Sequence, residues 1–186
     1  MSSKFLHALL VGVLLFAAPH ASVAQENKLP FPIPRSAAEL PRGAVIETTK
    51  GPIEISFYRE DAPIAVRNFQ YLAQKNFYRN LTFHRQLTDY VVQGGDPLGT
   101  GKGGTGYLLP PEFTERRHLP GTVGMARLDD RVNLERLSNG SQFYIMLAPA
   151  RHLDGAYTVF AEVRTGLDVA RALRVGDRII QVTVIP

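Results

Sequence analysis

From Arg42 onward the chain is largely built of short β-branched and aromatic runs punctuated by glycine, the pattern of a mainly β domain. Residues 44–48 (AVIET) and 53–57 (IEISF) flank TKGP, so they are predicted to form a hairpin around a Gly/Pro turn. Similar runs occupy Leu81–Gln86, Tyr90–Gln93, Thr122–Arg127, Phe143–Leu147, Val159–Val163 and Ile179–Ile185. Two stretches read as helices. In the first, roughly 62–75, Asp61 is placed to act as N-cap, Pro63 falls in the first turn, and Val66, Phe69 and Ala73 share a face. The second runs from Gly166 to Leu173, with Val169 and Leu173 inward. The expected fold is mainly β: a closed or nearly closed antiparallel β-barrel of about eight strands, with two α-helices capping its ends.

The first 24 residues stand apart. Lys4 supplies a positive start, Phe5–Ala18 is an apolar run, and Ser22-Val23-Ala24 offers small residues for cleavage. This is the pattern of a secretory signal peptide processed before Gln25. The run of about 14 residues is short of the roughly 20 that span a bilayer, so no stable membrane insertion is expected. Export, to a periplasm in particular, rests on this segment alone. Residues 25–41 carry prolines at 30, 32, 34 and 41 and read as an extended linker or strap ahead of one domain, 42–186.

Several functions can be set aside. The formal charge of +4, one unit of which is Lys4, is scattered rather than clustered, so nucleic acid is not an expected partner. There is no cysteine, hence no disulfide framework. Residues 99–106 (GTGKGGTG) contain G-x-G-x-x-G, but Tyr107-Leu108-Leu109-Pro110-Pro111 cannot open the helix that a nucleotide loop requires. The stretch reads instead as a glycine loop that other chain segments approach closely. His84, His118 and His152 show no metal-ligand spacing, and Ser141 lacks the G-x-S-x-G elbow of a hydrolase. No metal and no cofactor are expected.

Five motifs remain: Phe83-His84-Arg85, Gln93-Gly94-Gly95-Asp96, Met125-Ala126, Asn139-Gly140-Ser141-Gln142-Phe143-Tyr144-Ile145 and Leu153-Asp154-Gly155. In this order and spacing the chain resembles the cyclophilins, peptidyl-prolyl cis-trans isomerases, over roughly residues 43–185, and it looks most like their exported bacterial branch. The resemblance implies proline-containing polypeptides as partners; a monomer is expected, though the sequence does not fix the oligomeric state. The resemblance assigns Arg85 as the catalytic arginine. It places Tyr90, Val91, Tyr144 and Leu153 around the proline ring and His84 along the same cleft. Gln93 and Gln142 are implied to orient Arg85 and the substrate carbonyl, while Ala126 and Arg127 offer backbone contacts.

The chemistry accounts for a guanidinium in a strand. Amide resonance imposes a barrier of about 18–20 kcal/mol on the X-Pro bond, and the rotation takes tens of seconds. Twisting removes the resonance and returns a lone pair to the prolyl nitrogen. A cationic donor aimed at that nitrogen interacts more strongly with the twisted state than with either planar one.

This chain also departs from the family pattern. Tyr90, Val91 and Tyr144 stand where the pocket usually holds Phe, Met and Phe, so a more polar rim and a shorter side wall are expected. His152 replaces a tryptophan that helps hold cyclosporin in eukaryotic members, and Tyr157 replaces a histidine, so weak cyclosporin binding is expected. Residues 127–138 (RLDDRVNLERLS) form an insertion, read either as a small helix beside the cleft or as a surface excursion. The alternative function is a proline-peptide binding module, or holdase, with little catalysis.

Overall fold

In a computed structural model, residues 28–186 are described. The expected leader, residues 1–24, lies outside them. The strands are β1 (Gly43–Thr48), β2 (Gly51–Phe57), β3 (Arg85–Leu87), β4 (Val91–Gly94), β5 (Leu108–Leu109), β6 (Thr122–Met125), β7 (Ser138–Asn139), β8 (Phe143–Met146), β9 (Val159–Thr165) and β10 (Ile179–Ile185). Two helices, α1 (Pro63–Gln74) and α2 (Leu167–Ala172), complete the frame.

Eight strands make one antiparallel sheet in the order β10-β1-β2-β9-β6-β8-β4-β3, while β5 and β7 pair separately. The hairpin expected at 44–57 is the β1–β2 pair, with Thr48 opposite Gly51. The sheet curls into a half-barrel rather than the expected closed barrel. β3 is only three residues long and pairs with β4 alone, and β10 spends its ladder on β1. Between these end strands lie an isolated Thr82–Arg178 bridge and bonds from Phe83 N–H to Asp177 C=O and from Ile179 N–H to Leu81 C=O, each 2.9 Å. Residues 81–84, expected as strand, are used for this seam.

The concave side holds the main core. Phe57, Phe69, Tyr78, Phe143 and Phe160 pack edge-on, tilted or, for Phe57 and Phe160, stacked, with centroids 4.9–6.2 Å apart. Helix α1 contributes Val66, Phe69 and Leu72 to it, as the 3.6-residue spacing requires. Its N-terminus is not capped by Asp61, which instead pairs with Arg116. The carboxylate of Glu112 accepts the Ile64 and Ala65 N–H groups at 2.8 and 2.9 Å. A residue 48 positions away thus satisfies the orphan donors that a local cap would have taken. In the strap, Phe31 and Leu40 are buried, and Phe31 packs against Tyr71 and Tyr107.

Strand β8 divides two apolar clusters. Phe143 and Ile145 enter the concave core, whereas Tyr144 and Met146 enter a smaller cluster on the other face with Val91 and Ala150. This is the two-residue alternation of a strand buried on both faces. It explains why Phe143–Leu147 reads as unbroken apolar sequence. The smaller cluster forms the base of the site.

Candidate functional site

A cavity of about 240 Å³ opens over that second cluster, lined by Arg85, Tyr90, Val91, Gln93, Ala126, Arg127, Tyr144, Met146, His152, Leu153 and Tyr157. Strand register assembles it. Arg85 lies opposite Gln93 across β3–β4, Gln93 opposite Tyr144 across β4–β8, and Tyr144 opposite Gly124 across β8–β6. Residues that face each other across a ladder project from the same face of the sheet. A single row therefore carries the guanidinium, the amide and the phenol, though they come from three separate motifs.

Arg85 is exposed, and its Nη1 donates to Gln93 Oε1 at 3.3 Å. Gln93 Nε2 donates in turn to Gln142 Oε1 at 2.9 Å. Gln142 is buried, and its amide nitrogen donates to the carbonyls of Gly101 and Gly103 at 3.1 and 2.8 Å. With the donors of Gln142 committed to those carbonyls, its oxygen must face Gln93, and the oxygen of Gln93 must face Arg85. The relay orients the guanidinium from behind.

The glycine loop is the anchor of this relay, and Asp96 shapes the loop. Its carboxylate accepts the N–H groups of Leu98 at 2.8 Å, Thr100 at 2.9 Å and Gly101 at 2.5 Å. Burial pushes the Asp96 pKa up, but the backbone donors outweigh it and hold the group below the usual carboxylate range. Gly103 lacks a side chain for a plain reason: a Cβ would collide with the Asp96 carboxylate. Asn139 secures the other side, accepting the Ser141 and Gln142 N–H groups at 2.9 Å each and donating to Gly103 C=O at 2.9 Å.

Ten of the twelve residues singled out in the sequence line this cavity. Gln142 lies behind it in the relay and borders a second cavity of about 530 Å³, which shares Gln93, Ala126 and Arg127 with the first. His84 does not line it. Its ring sits against the glycine loop near Gly101, and neither ring nitrogen has a hydrogen-bond partner among the described residues. Burial lowers the His84 pKa, opposed by the nearby Asp96 carboxylate. The backbone of Ala126 is already committed, its N–H to Gln142 C=O at 2.9 Å and its C=O to Asn139 N–H at 2.8 Å. The Arg127 side chain is turned inward, donating to Ala156 C=O at 2.9 Å and lying 4.4 Å over the Tyr157 ring.

The rim differs from the sequence expectation in one respect. Tyr90 and His152 do place polar groups there, 3.1 Å apart. The Tyr144 hydroxyl, in contrast, is bonded to buried His118 at 2.8 Å, away from the rim. Sequence reasoning missed His118 because its partner stands 26 positions ahead. It also missed Met146, which faces Val91 across the β4–β8 ladder and lines the cavity beside it. The alternation within β8 could have revealed Met146.

No helix forms over 127–138. The segment is a turn-rich excursion held by Arg127–Asp130 and Arg136–Asp130 ion pairs and by Asn133, whose side chain bonds both backbone groups of Leu137. Leu128, Val132 and Leu137 wall the second cavity.

Comparison with known proteins agrees with this geometry. Residues 44–184 match the family model for cyclophilin type peptidyl-prolyl cis-trans isomerases. A peptidyl-prolyl cis-trans isomerase of Synechococcus elongatus is 44% identical over 144 residues, covering 76% of this chain and 95% of that relative. This chain belongs to the cyclophilin family. Isomerase B of Bacillus subtilis is 42% identical to the cyclophilin over 127 residues, covering 67% and 85% of the two chains. A crystal structure of a Cryptosporidium parvum cyclophilin superposes with a TM-score of 0.71 at 26% identity, covering 78% of this chain and 98% of the other. The same parasite protein in the presence of the dipeptide Ala-Pro gives a TM-score of 0.70 at 27% identity, covering 77% and 99%. The cyclophilin described here is accordingly an enzyme, a peptidyl-prolyl cis-trans isomerase.

Proposed function

We propose that this cyclophilin twists X-Pro bonds in the 240 Å³ cavity, with Arg85 stabilising the non-planar state. The observation that carries the reading is the position of Arg85. Its guanidinium lines a hollow floored by the apolar cluster of Val91, Tyr144 and Met146, held against Gln93, whose own orientation is set by Gln142. The proline ring rests against Val91, Tyr144, Met146 and Leu153. As the imide twists, the prolyl nitrogen becomes pyramidal and accepts a hydrogen bond from the guanidinium. No covalent bond is made or broken. Shortening tens of seconds to milliseconds requires about four decades, or roughly 5.5 kcal/mol. A preorganised cationic donor in a partly dry site supplies a large share of that.

The substrates we propose are proline-containing polypeptides, which agrees with the Ala-Pro dipeptide named with the parasite cyclophilin. The composition of residues 1–24 supports export and places these clients among exported proteins. The deciding experiment is a protease-coupled assay on an X-Pro peptide, run on the wild type and Arg85→Ala together. Acceleration by the wild type and its near loss in the variant are expected; equal rates would refute the assignment. Mass spectrometry of the exported protein should find Gln25 at the N-terminus, and an intact leader would refute processing.

A further inference from the structure

Behind the cavity wall lies a buried polar chain that the twisting of the imide does not itself use. The Tyr144 hydroxyl is 2.8 Å from His118 Nε2, and His118 Nδ1 is 3.0 Å from Asp154 Oδ1. The same carboxylate oxygen accepts the His118 backbone N–H at 2.7 Å. His118 is 1% exposed and Tyr144 6%, so neither group can turn to water instead.

The directions of these bonds follow from the donor inventory. An ionised carboxylate only accepts, so Nδ1 carries the ring proton. Nε2 is then bare, and the tyrosine hydroxyl must donate to it. Two loops, one ahead of β6 and one before β9, thereby clamp a phenol that stands on β8, an interior strand of the sheet. That ring is part of the cavity wall and meets Tyr157 edge-on at 6.1 Å, so its tilt shapes the space left for a proline. A phenylalanine would occupy the same wall with no need of His118. The hydroxyl is what makes the imidazole necessary.

We infer that His118 is a positioning residue for the isomerisation: together with Asp154 it holds Tyr144 by its hydroxyl and so sets the wall against which the proline ring rests. The inference rests on the proposed seating of proline in this cavity. Protonating His118 reverses the central bond. Nε2–H then faces the hydroxyl as a donor, and the tyrosine proton loses its buried acceptor. Burial lowers the His118 pKa, against the pull of Asp154, and a charge on His152 lowers it further. The remaining titratable or charged groups around the chain are Arg117 near Asp154, with Tyr90, Tyr157 and Arg127 around Tyr144. The clamp is therefore closed at neutral pH and opens on the acid side of the ordinary histidine range.

The test measures cis–trans exchange of an X-Pro peptide by NMR, which needs no coupling protease, from about pH 5 to 8. His118→Leu should lower kcat/KM about tenfold at neutral pH, because it strands the hydroxyl. Adding Tyr144→Phe to it should recover most of that loss, since no buried hydroxyl remains to be satisfied. Activity of the wild type should fall on the acid side, and Tyr144→Phe alone should abolish that fall; this variant carries the test if His118→Leu does not fold. Unaltered activity in His118→Leu, no recovery in the double variant, or a wild-type acid limb in Tyr144→Phe would each overturn the inference. An acid limb due to His84 would persist in Tyr144→Phe. Arg85→Ala in the same series separates the two readings: its full activity would remove the cavity as the site, whereas its loss beside an unaffected His118→Leu counts against His118 alone.

Discussion

The phenol of Tyr144 lies over Gly124, its partner across the β6–β8 ladder, so closely that a Cβ at 124 would collide with the hydroxyl oxygen and the ring. The glycine is required by this approach and not by any turn. Tyr144 can reach His118 only because position 124 has no side chain.

Gly124→Ala should therefore push the ring out of place, costing about 1–3 kcal/mol of stability by overpacking. It should also lower kcat/KM by about tenfold by narrowing the cavity. A thermal melt with the peptide assay checks both. Wild-type values in the two together would mean that the ring has room elsewhere.

Replacing Arg85 by alanine is expected to leave the melting temperature nearly unchanged, since the side chain is exposed. Activity should drop by about 100-fold or more, the scale of removing a preorganised charge-stabilising donor. Lysine should restore little, because an ammonium lacks the planar fork that contacts Gln93 and, in the proposed mechanism, also reaches the substrate.

The relay predicts that a residue outside the proposed proline cavity affects catalysis. Gln142→Leu would leave the Gly101 carbonyl without its Gln142 donor, the Gly103 carbonyl with Asn139 alone, and Gln93 without its acceptor. A loss of about 1–3 kcal/mol is expected from the unsatisfied groups. Activity should fall because Gln93 no longer faces Arg85. A destabilised variant of undiminished kcat/KM would separate the relay from catalysis.

Asp96 gives a pH signature in stability. Its folded pKa lies below the ordinary carboxylate value, so as pH falls toward and through that folded value the unfolded chain binds the proton more readily. The stabilisation is fully present above about pH 4 and is lost progressively below it. Asp96→Asn should lower stability by about 1–3 kcal/mol at neutral pH, and its deficit should shrink in acid. Urea melts across the acid range measure this. A deficit that stays constant with pH would contradict the assignment.

Cyclosporin should bind weakly. His152 stands at the rim bonded to Tyr90 at 3.1 Å, where the resemblance would place a tryptophan. Calorimetry provides the check, and tight binding in the nanomolar range would contradict the expectation.

What the sequence by itself determined is local. Two-residue alternation, Gly/Pro punctuation and the 62–75 periodicity identify the hairpin, most of the long strands and helix α1, because each depends on a few neighbouring residues and the pleat or turn they share. The spacing of the motifs pointed to the family. Tertiary structure decided everything that depends on register between distant segments. It put Glu112 rather than Asp61 at the start of α1, left the sheet as a half-barrel, turned His84 to the glycine loop and set His118 behind Tyr144. Alternation tells which side of a strand a residue takes, but not which strand will lie beside it. The partner on each face is chosen by how the whole chain curls, and so the row from Arg85 to Gly124 exists only in the folded sheet.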